Sequence, residues 1–165
     1  MSNPVRLSKA VSLALHATAL LASDEAAPLS TKGIAAALGV SEAHLAKVLQ
    51  RLATTGIVRS TAGPAGGFVL AKPGNQIALL EVYEAIEGPL SPFKCLFGTP
   101  VCAGAGCIFG GELQGIDTKL RRWLAGTKLS QLSQVLGRPK GLRREEGPCS
   151  IGAKRLQPIS KSVGR

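Results

Sequence analysis

The chain has 165 residues and a mass of 17.0 kDa, which is room for one domain, or for one small domain with an appendage. This length argues against a Rossmann or (β/α)8-barrel enzyme, since a full barrel usually needs about 250 residues. The formal net charge is +10, from 20 basic and 10 acidic side chains. Such a charge favours polyanionic partners, nucleic acid first and an anionic membrane surface second.

The positive charge is concentrated at the two ends of the chain. Residues 1–77 carry a net charge of +4, residues 78–136 are neutral, and residues 137–165 carry +6. The last segment is rich in glycine and proline and has no hydrophobic periodicity, which predicts a disordered basic tail that serves solubility or contact with a nucleic-acid backbone. The apolar run at 10–22 is too short to span a bilayer and lacks a signal-cleavage pattern. We therefore expect a cytoplasmic protein whose four cysteines are thiols or metal ligands.

Three helices are predicted in the first third of the chain. The first covers 8–23, and its predicted buried side consists of Leu7, Val11, Leu15 and Ala22. Ser30 begins a second helix that ends at Gly39, and Ser41 begins a third that runs to about residue 55. The third has apolar residues at helical spacing, namely Leu45, Val48, Leu49 and Leu52. Two helices joined by a short glycine-containing turn are typical of a helix-turn-helix.

Gly56 is predicted to end the third helix, and a β-hairpin is predicted directly after it. Residues 57–59 favour a short strand, residues 63–67 form a glycine-rich tip, and residues 69–70 favour the returning strand. The fold class is therefore mainly α with a small β-hairpin wing. We expect a winged helix-turn-helix domain followed by a dimerisation helix.

The exposed positions of the third helix and the hairpin are suited to DNA contact. In the first turn of a recognition helix, Glu42 could accept from a cytosine amine, and His44 or Lys47 could donate to guanine. Arg51 suits a phosphate, and hairpin glycines let backbone N–H groups approach phosphates. The candidate DNA-binding residues are Ser41, Glu42, His44, Lys47, Arg51, Arg59, Gly63, Gly66 and Gly67. The alternative is a solvated helix face beside an ordinary hairpin.

Two further helices are predicted, at 77–87 and at 112–125. The second carries apolar residues spaced 3, 4 and 3 apart, as in a short coiled-coil seam: Leu113, Ile116, Leu120 and Trp123. Such a seam must be buried, either against a second copy of the chain or against the chain's own N-terminal helix. The predicted organisation is a DNA-binding domain at 1–77, then a linker helix, cysteine segment and dimerisation helix at 78–136, then the tail at 137–165.

Three cysteines lie within thirteen residues between these two helices. Cys95, Cys102 and Cys107 are spaced C-x6-C-x4-C among glycines and prolines, a spacing that matches neither a zinc ribbon nor a bacterial ferredoxin. They indicate an iron–sulfur site with a fourth ligand elsewhere, or a thiol redox switch. The remaining interpretation is three unrelated small core residues. Cys149 is a candidate fourth ligand only if the tail folds back.

The chain resembles the Rrf-type family, the IscR/NsrR-like bacterial winged-helix transcription regulators. The residues that carry the resemblance are 35–39, 44–52, Gly56, 63–68, 87–90 and the three cysteines, and it covers residues 6–136. It implies a homodimer that binds palindromic operator DNA. In several members a [2Fe–2S] or [4Fe–4S] cluster on the cysteine segment sets DNA affinity, which implies sensing of redox, nitric oxide or iron–sulfur status.

The chain departs from the family pattern at the wing and at the fourth-ligand positions. Ala62 and Ala65 stand where the family wing often has arginine and glycine, which implies either a weaker minor-groove contact or one made by Arg59. Gly110 stands where one member has a histidine ligand, and Ser12 where another has an aspartate. The fourth ligand is therefore unassigned.

Other function classes fit the sequence less well. The nearest alternative is a cluster-free winged-helix regulator with a thiol switch, and the next is a zinc-stabilised RNA-binding module. The sequence holds no Ser/His/Asp set, no paired carboxylates and no phosphate-binding loop. We therefore expect no catalytic residues, no small-molecule substrate and no membrane association.

Overall fold

The computed structural model describes residues 7–23, 25, 28–62, 66–90, 109 and 111–136. These residues form α1 (Lys9–Ser23), α2 (Thr31–Leu38), α3 (Glu42–Thr54), β1 (Val58–Thr61), β2 (Gly67–Leu70), α4 (Leu79–Glu87), α5 (Glu112–Gly126) and α6 (Leu129–Leu136). The predicted fold class, mainly helical with a hairpin wing, is confirmed. Within the described ranges, each helix is too short or too polar to cross a membrane.

Helix α1 is the centre of the hydrophobic core. It packs chiefly against α6 and α4, and it also contacts α2, α3 and β2. Val11, Ala14 and Ala17 are completely buried, and the small alanine side chains allow neighbouring helices to come close. The buried Thr18 hydroxyl donates to the Ala14 carbonyl at 2.8 Å, so its polar group is satisfied inside the core. The prediction that Leu7 is buried is wrong: it precedes the helix and is 60% exposed.

Helix α6 was not predicted from the sequence. It packs on α1, and its first residue, Leu129, is fully buried, whereas α5 packs mainly on α4. The junction between α5 and α6 is held by backbone hydrogen bonds to residues at the start of α4. The Leu79 N–H donates to the Thr127 carbonyl at 3.0 Å, and the Leu129 N–H donates to the Ile77 carbonyl at 2.9 Å. The N-terminal helix α1 was one of the two partners predicted for the seam of α5. In the structure, α1 packs chiefly against α6 instead.

The hairpin is joined to the segment before α2 by a further backbone pairing. Strands β1 and β2 are antiparallel, with Val58 opposite Leu70 and Thr61 opposite Gly67. Leu29, which precedes α2, pairs with Phe68 of β2. The Leu29 N–H donates to the Phe68 carbonyl at 3.0 Å, and the Phe68 N–H donates to the Leu29 carbonyl at 2.9 Å. The hairpin is therefore fixed to the chain that leads into the helix-turn-helix.

Candidate nucleic-acid interface

The turn between α2 and α3 is built from a left-handed glycine. The Ser30 hydroxyl accepts from the Gly33 N–H at 3.1 Å, which confirms the predicted cap of α2. At the other end of α2, Gly39 has a φ of 63°, and the Val40 N–H donates back to the Ala35 carbonyl at 3.0 Å. Ser41 then returns to extended backbone, and α3 begins at the next residue. This is the predicted helix-turn-helix.

Helix α3 has one buried face and one exposed face. Its buried residues are Leu45, Val48, Leu49 and Leu52, as predicted. On the other side, His44, Lys47 and Arg51 are all exposed and lie at i, i+3 and i+7. Ser41 lies three residues before His44, is exposed, and makes no capping hydrogen bond with its side chain. We call these four residues the α3 strip; it extends about 15 Å along the helix, at 1.5 Å per residue.

The cations of this surface form no ion pair within the part of the chain that the structure describes. The described residues form two ion pairs, Lys72 with Glu81 and Arg121 with Glu84. Lys47, Arg51 and Arg59 belong to neither pair. Glu42, also exposed, lies in the first turn of α3, where the positive end of the helix dipole favours a carboxylate.

Arg59 lies on β1, the strand that follows the carboxyl end of α3. Helix α3 ends through Gly56, with a φ of 74°, and the Ile57 N–H donates to the Leu52 carbonyl at 3.0 Å, which directs the chain into β1. Arg59 follows in β1, opposite Val69, and is exposed.

The tip of the hairpin is closed by a side-chain hydroxyl. The Gly67 N–H donates to Thr61 Oγ1 at 3.2 Å, and the same hydroxyl donates to the Gly67 carbonyl at 3.3 Å. Gly66 is half-buried, whereas Gly63 lies outside the described residues. The contributions of these glycines to DNA binding stay predictions.

Helix α5 presents apolar side chains that are exposed in the described part of the chain. Ile116 is 52% exposed and Trp123 is 54% exposed, while Leu113 and Leu120, the other two residues of the predicted seam, are half-buried. We call Ile116 and Trp123 the α5 apolar strip. Two large apolar side chains exposed two turns apart on one face of a helix mark a candidate contact surface.

The predicted metal ligands Cys95, Cys102 and Cys107 lie outside the described residues, as does Cys149. Among the residues that are described, no group of three or more histidine, cysteine, aspartate or glutamate side chains could hold a metal ion. The cysteine segment therefore stays a prediction. Its two ends are described: it begins after the buried Leu90, three residues beyond the end of α4, and Gly111 leads from it into α5.

Arg121 is a residue whose role the sequence did not indicate. Its guanidinium Nη1 donates to the Leu90 carbonyl at 2.6 Å and to Glu84 Oε1 at 3.3 Å. These partners are 31 and 37 residues away along the chain, so no local pattern could have revealed the contact.

Comparison with known proteins identifies regulators of transcription. The family model "Rrf2: Iron-dependent Transcriptional regulator" matches residues 7–134. The HTH-type transcriptional regulator IscR of Cronobacter sakazakii is 29% identical over 109 residues, which are 66% of this chain and 67% of that protein. These relatives are transcriptional regulators and not enzymes, in agreement with the expectation from the sequence.

Solved structures share the fold. CymR, the global cysteine regulator of B. subtilis, is 26% identical with a TM-score of 0.67, over 79% of this chain and 97% of that one. IscR of T. potens is 20% identical with a TM-score of 0.63, over 87% of this chain and 94% of that one, a likeness that shows the fold alone.

Proposed function

Since this chain belongs to the Rrf2 family of transcriptional regulators, we propose that it binds operator DNA in the cytoplasm, with α3 in the major groove and the hairpin beside it. The observation that carries the proposal is the α3 strip. It aligns hydrogen-bonding and cationic side chains along a helix whose opposite face is buried in the core. A recognition helix needs this division because only one of its faces can enter the groove.

The position of each side chain suggests its part in the contact. His44 and Lys47, in the first two turns of α3, would donate to guanine, and Glu42 would accept from cytosine. Arg51 and Arg59 would bind phosphates and set the position of the protein on the duplex without reading sequence. Ser41, Gly63, Gly66 and Gly67 would add hydroxyl and backbone N–H contacts to phosphate oxygens.

We further propose that the α5 apolar strip joins two copies of the chain. Burial of Ile116 and Trp123 against a second copy would remove both from water. A two-fold dimer presents two α3 helices related by symmetry, so the operator is a palindrome. In this arrangement residues 1–77 bind DNA, residues 78–136 carry the sensor segment and the dimer helix, and residues 137–165 form an appended basic tail.

Selection from a random duplex library tests this proposal. We expect the protein to enrich a two-fold-symmetric motif whose half-sites lie about one helical turn, or a multiple of it, apart. The variant Lys47→Ala should relax the preference at one position of each half-site, whereas Arg122→Ala, an exposed arginine on α5, should leave the motif unchanged. Failure to enrich any motif would refute direct operator binding, and an asymmetric single half-site would refute the dimer.

We also propose that Cys95, Cys102 and Cys107 hold an iron–sulfur cluster, of the [2Fe–2S] or [4Fe–4S] type, that sets operator affinity. Three thiols within thirteen residues support it, as does the iron dependence for which the family is named. Thiolates are the ligands that iron–sulfur clusters use in proteins. The fourth ligand is unassigned. The departures at Ser12 and Gly110 favour the second candidate, a cluster-free regulator whose cysteines form a thiol switch.

Anaerobic purification, followed by an absorption spectrum and iron and sulfide analysis, separates these two candidates. We expect visible absorption and stoichiometric iron and sulfide in the natural protein. The triple variant Cys95/Cys102/Cys107→Ala should lose both, and the matched control Cys149→Ala should keep them. A colourless, iron-free natural protein would replace the cluster with the thiol switch.

A further inference from the structure

Leu90 is held through both of its backbone groups, immediately before the cysteine segment. Its N–H donates to Glu84 Oε1 at 3.2 Å, and its carbonyl accepts from Arg121 Nη1 at 2.6 Å. Arg121 Nη1 also donates to the same Glu84 Oε1 at 3.3 Å. We call this closed ring of Glu84, Leu90 and Arg121 the Leu90 clamp. It connects α4, α5 and the residue at which the cysteine segment begins.

The clamp joins the start of the cysteine segment to the middle of the proposed dimer helix. Along the chain, the segment enters α5 only at Gly111, ten residues before Arg121. Arg121 is two residues before Trp123 of the α5 apolar strip, and on a different face of the helix. A displacement of Leu90 would therefore reach the middle of α5 directly, from the side opposite the strip, and not only through the far end of the segment.

The ring orients Leu90 but contributes little to the stability of the fold. Hydrogen bonds from a guanidinium to a carbonyl and a carboxylate have charge-assisted, planar geometry, and they orient their partners. The side chains of Arg121 and Glu84 remain 47% and 31% exposed, so solvent screens their attraction. Removing the ring should therefore leave the fold intact while releasing Leu90 from α5.

We propose that the Leu90 clamp transmits the chemical state of the cysteine segment to α5 and so to the spacing of the two α3 helices in the dimer. Arg121 and Glu84 act as positioning residues, through the hydrogen bonds that they make to Leu90. This inference rests on the proposed function, because it needs a cysteine segment whose state changes operator affinity. A change in the cysteine segment shifts the equilibrium between two spacings of the α3 helices only if its free energy differs between them. In this proposal the clamp is the contact that differs between the two spacings.

A double-mutant cycle on the full-length protein tests the inference. The first ratio compares the operator affinity of the anaerobically purified natural protein with that of its Cys95/Cys102/Cys107→Ala variant. The second ratio makes the same comparison with Arg121→Gln added to both. We expect a first ratio of about tenfold, within the 5- to 150-fold range usual for coupled sites, and a second below about twofold. Glu84→Gln should act as Arg121→Gln does.

The matched control is Lys72→Gln, which removes the other ion pair of the described residues, at 3.1 Å from Glu81 and without contact to Leu90. It should preserve the first ratio. If Arg121→Gln and Glu84→Gln also preserve it, the clamp is not the transmitter, although the sensing proposal stands. If the natural protein and its Cys95/Cys102/Cys107→Ala variant bind the operator equally tightly, the sensing proposal fails and this inference fails with it.

Hydrogen exchange at the Leu90 amide gives a readout that does not depend on DNA. Glu84→Gln should accelerate exchange of this amide in the dimer, because the carboxylate that accepts its hydrogen is replaced by a weaker acceptor. Unchanged exchange would show that the ring does not hold Leu90, and would overturn the inference.

Discussion

Gly67 lies so close to the carbonyl group of Leu29 that no side chain fits between them. A Cβ atom added to Gly67 would lie 2.6 Å from the Leu29 carbonyl carbon and 3.0 Å from the Ser30 nitrogen. Both atoms belong to backbone that is hydrogen-bonded in place, since Leu29 pairs with Phe68 in both directions. The hairpin is thus positioned against the start of the helix-turn-helix by close backbone contact, whatever Gly67 also does at DNA.

Substitution of Gly67 by alanine should therefore destabilise the protein. The methyl group must displace the Leu29 segment, and overpacking of this kind costs about 1 to 3 kcal/mol. Gly126→Ala is the matched control, because nothing lies within 4 Å of a Cβ added there and alanine is the better helix former. Urea unfolding of the two variants measures the difference. Equal stability of Gly67→Ala and the natural protein would show that the Leu29 contact yields without cost.

The dimer surface is tested by a charge placed in the α5 apolar strip. Ile116→Glu should weaken the dimer by at least about 30-fold, equivalent to about 2 kcal/mol, because a carboxylate would be buried against an apolar partner. Ile116 is a sharper choice than Leu120, which is half-buried against the chain's own core and whose change would also disturb folding. Thr118→Glu, exposed on another side of the same helix, is the control. Light scattering that finds Ile116→Glu fully dimeric would exclude this surface.

Local patterns predicted most of the elements but not the contacts that orient them. The apolar spacing of α3 identified its buried face, and the Ser30 cap and the glycine stops at 39 and 56 followed from local backbone chemistry. Helix α6 was missed even though Leu129, Leu132 and Leu136 stand at helical spacing, because it begins only three residues after α5 ends and is short. Its partner, α1, lies more than a hundred residues away in sequence.

The contacts that were missed join distant parts of the chain. Gly67 was predicted to serve phosphate contact, because nothing local reveals that Leu29 lies against it. Arg121 had no predicted role because Glu84 and Leu90 reach it only through tertiary folding. The DNA-binding and cysteine predictions rest on residue chemistry and order, and the structure adds the common exposure of the α3 strip.

The start of α4 predicts an acid-dependent contribution to stability. Partial burial by itself would raise the pKa of the Glu81 carboxyl, but a hydrogen bond from the Ala78 N–H, at 2.9 Å, and the ammonium groups of Lys72 and Lys128 outweigh it and lower the pKa below its ordinary value of 4.5. Because Ala78 has no side-chain oxygen, this is only one half of a capping box. A carboxyl group whose pKa is lowered on folding stabilises the fold at pH values above its ordinary pKa. That stabilisation is lost as the pH falls through the lowered pKa.

Glu81→Gln should therefore be less stable than the natural protein near neutral pH, and the difference should shrink in acid. Urea unfolding at about pH 6 and about pH 3.5 measures both differences, and the effect should stay below about 1 kcal/mol because the pair is partly exposed. Lys72→Gln should reproduce part of the loss. A difference that grows as the pH falls would contradict the assigned sign.

Competition between a selected operator duplex and a random duplex of equal length, at several salt concentrations, tests the central claim that the α3 strip reads DNA. The natural protein should prefer the operator by at least about 1000-fold at moderate salt, and its affinity should fall as salt rises. Lys47→Ala should reduce the preference, and Arg51→Ala should weaken both duplexes alike and lower the salt slope by about one. Arg122→Ala should match the natural protein. Equal affinity for operator and random duplex would contradict the claim.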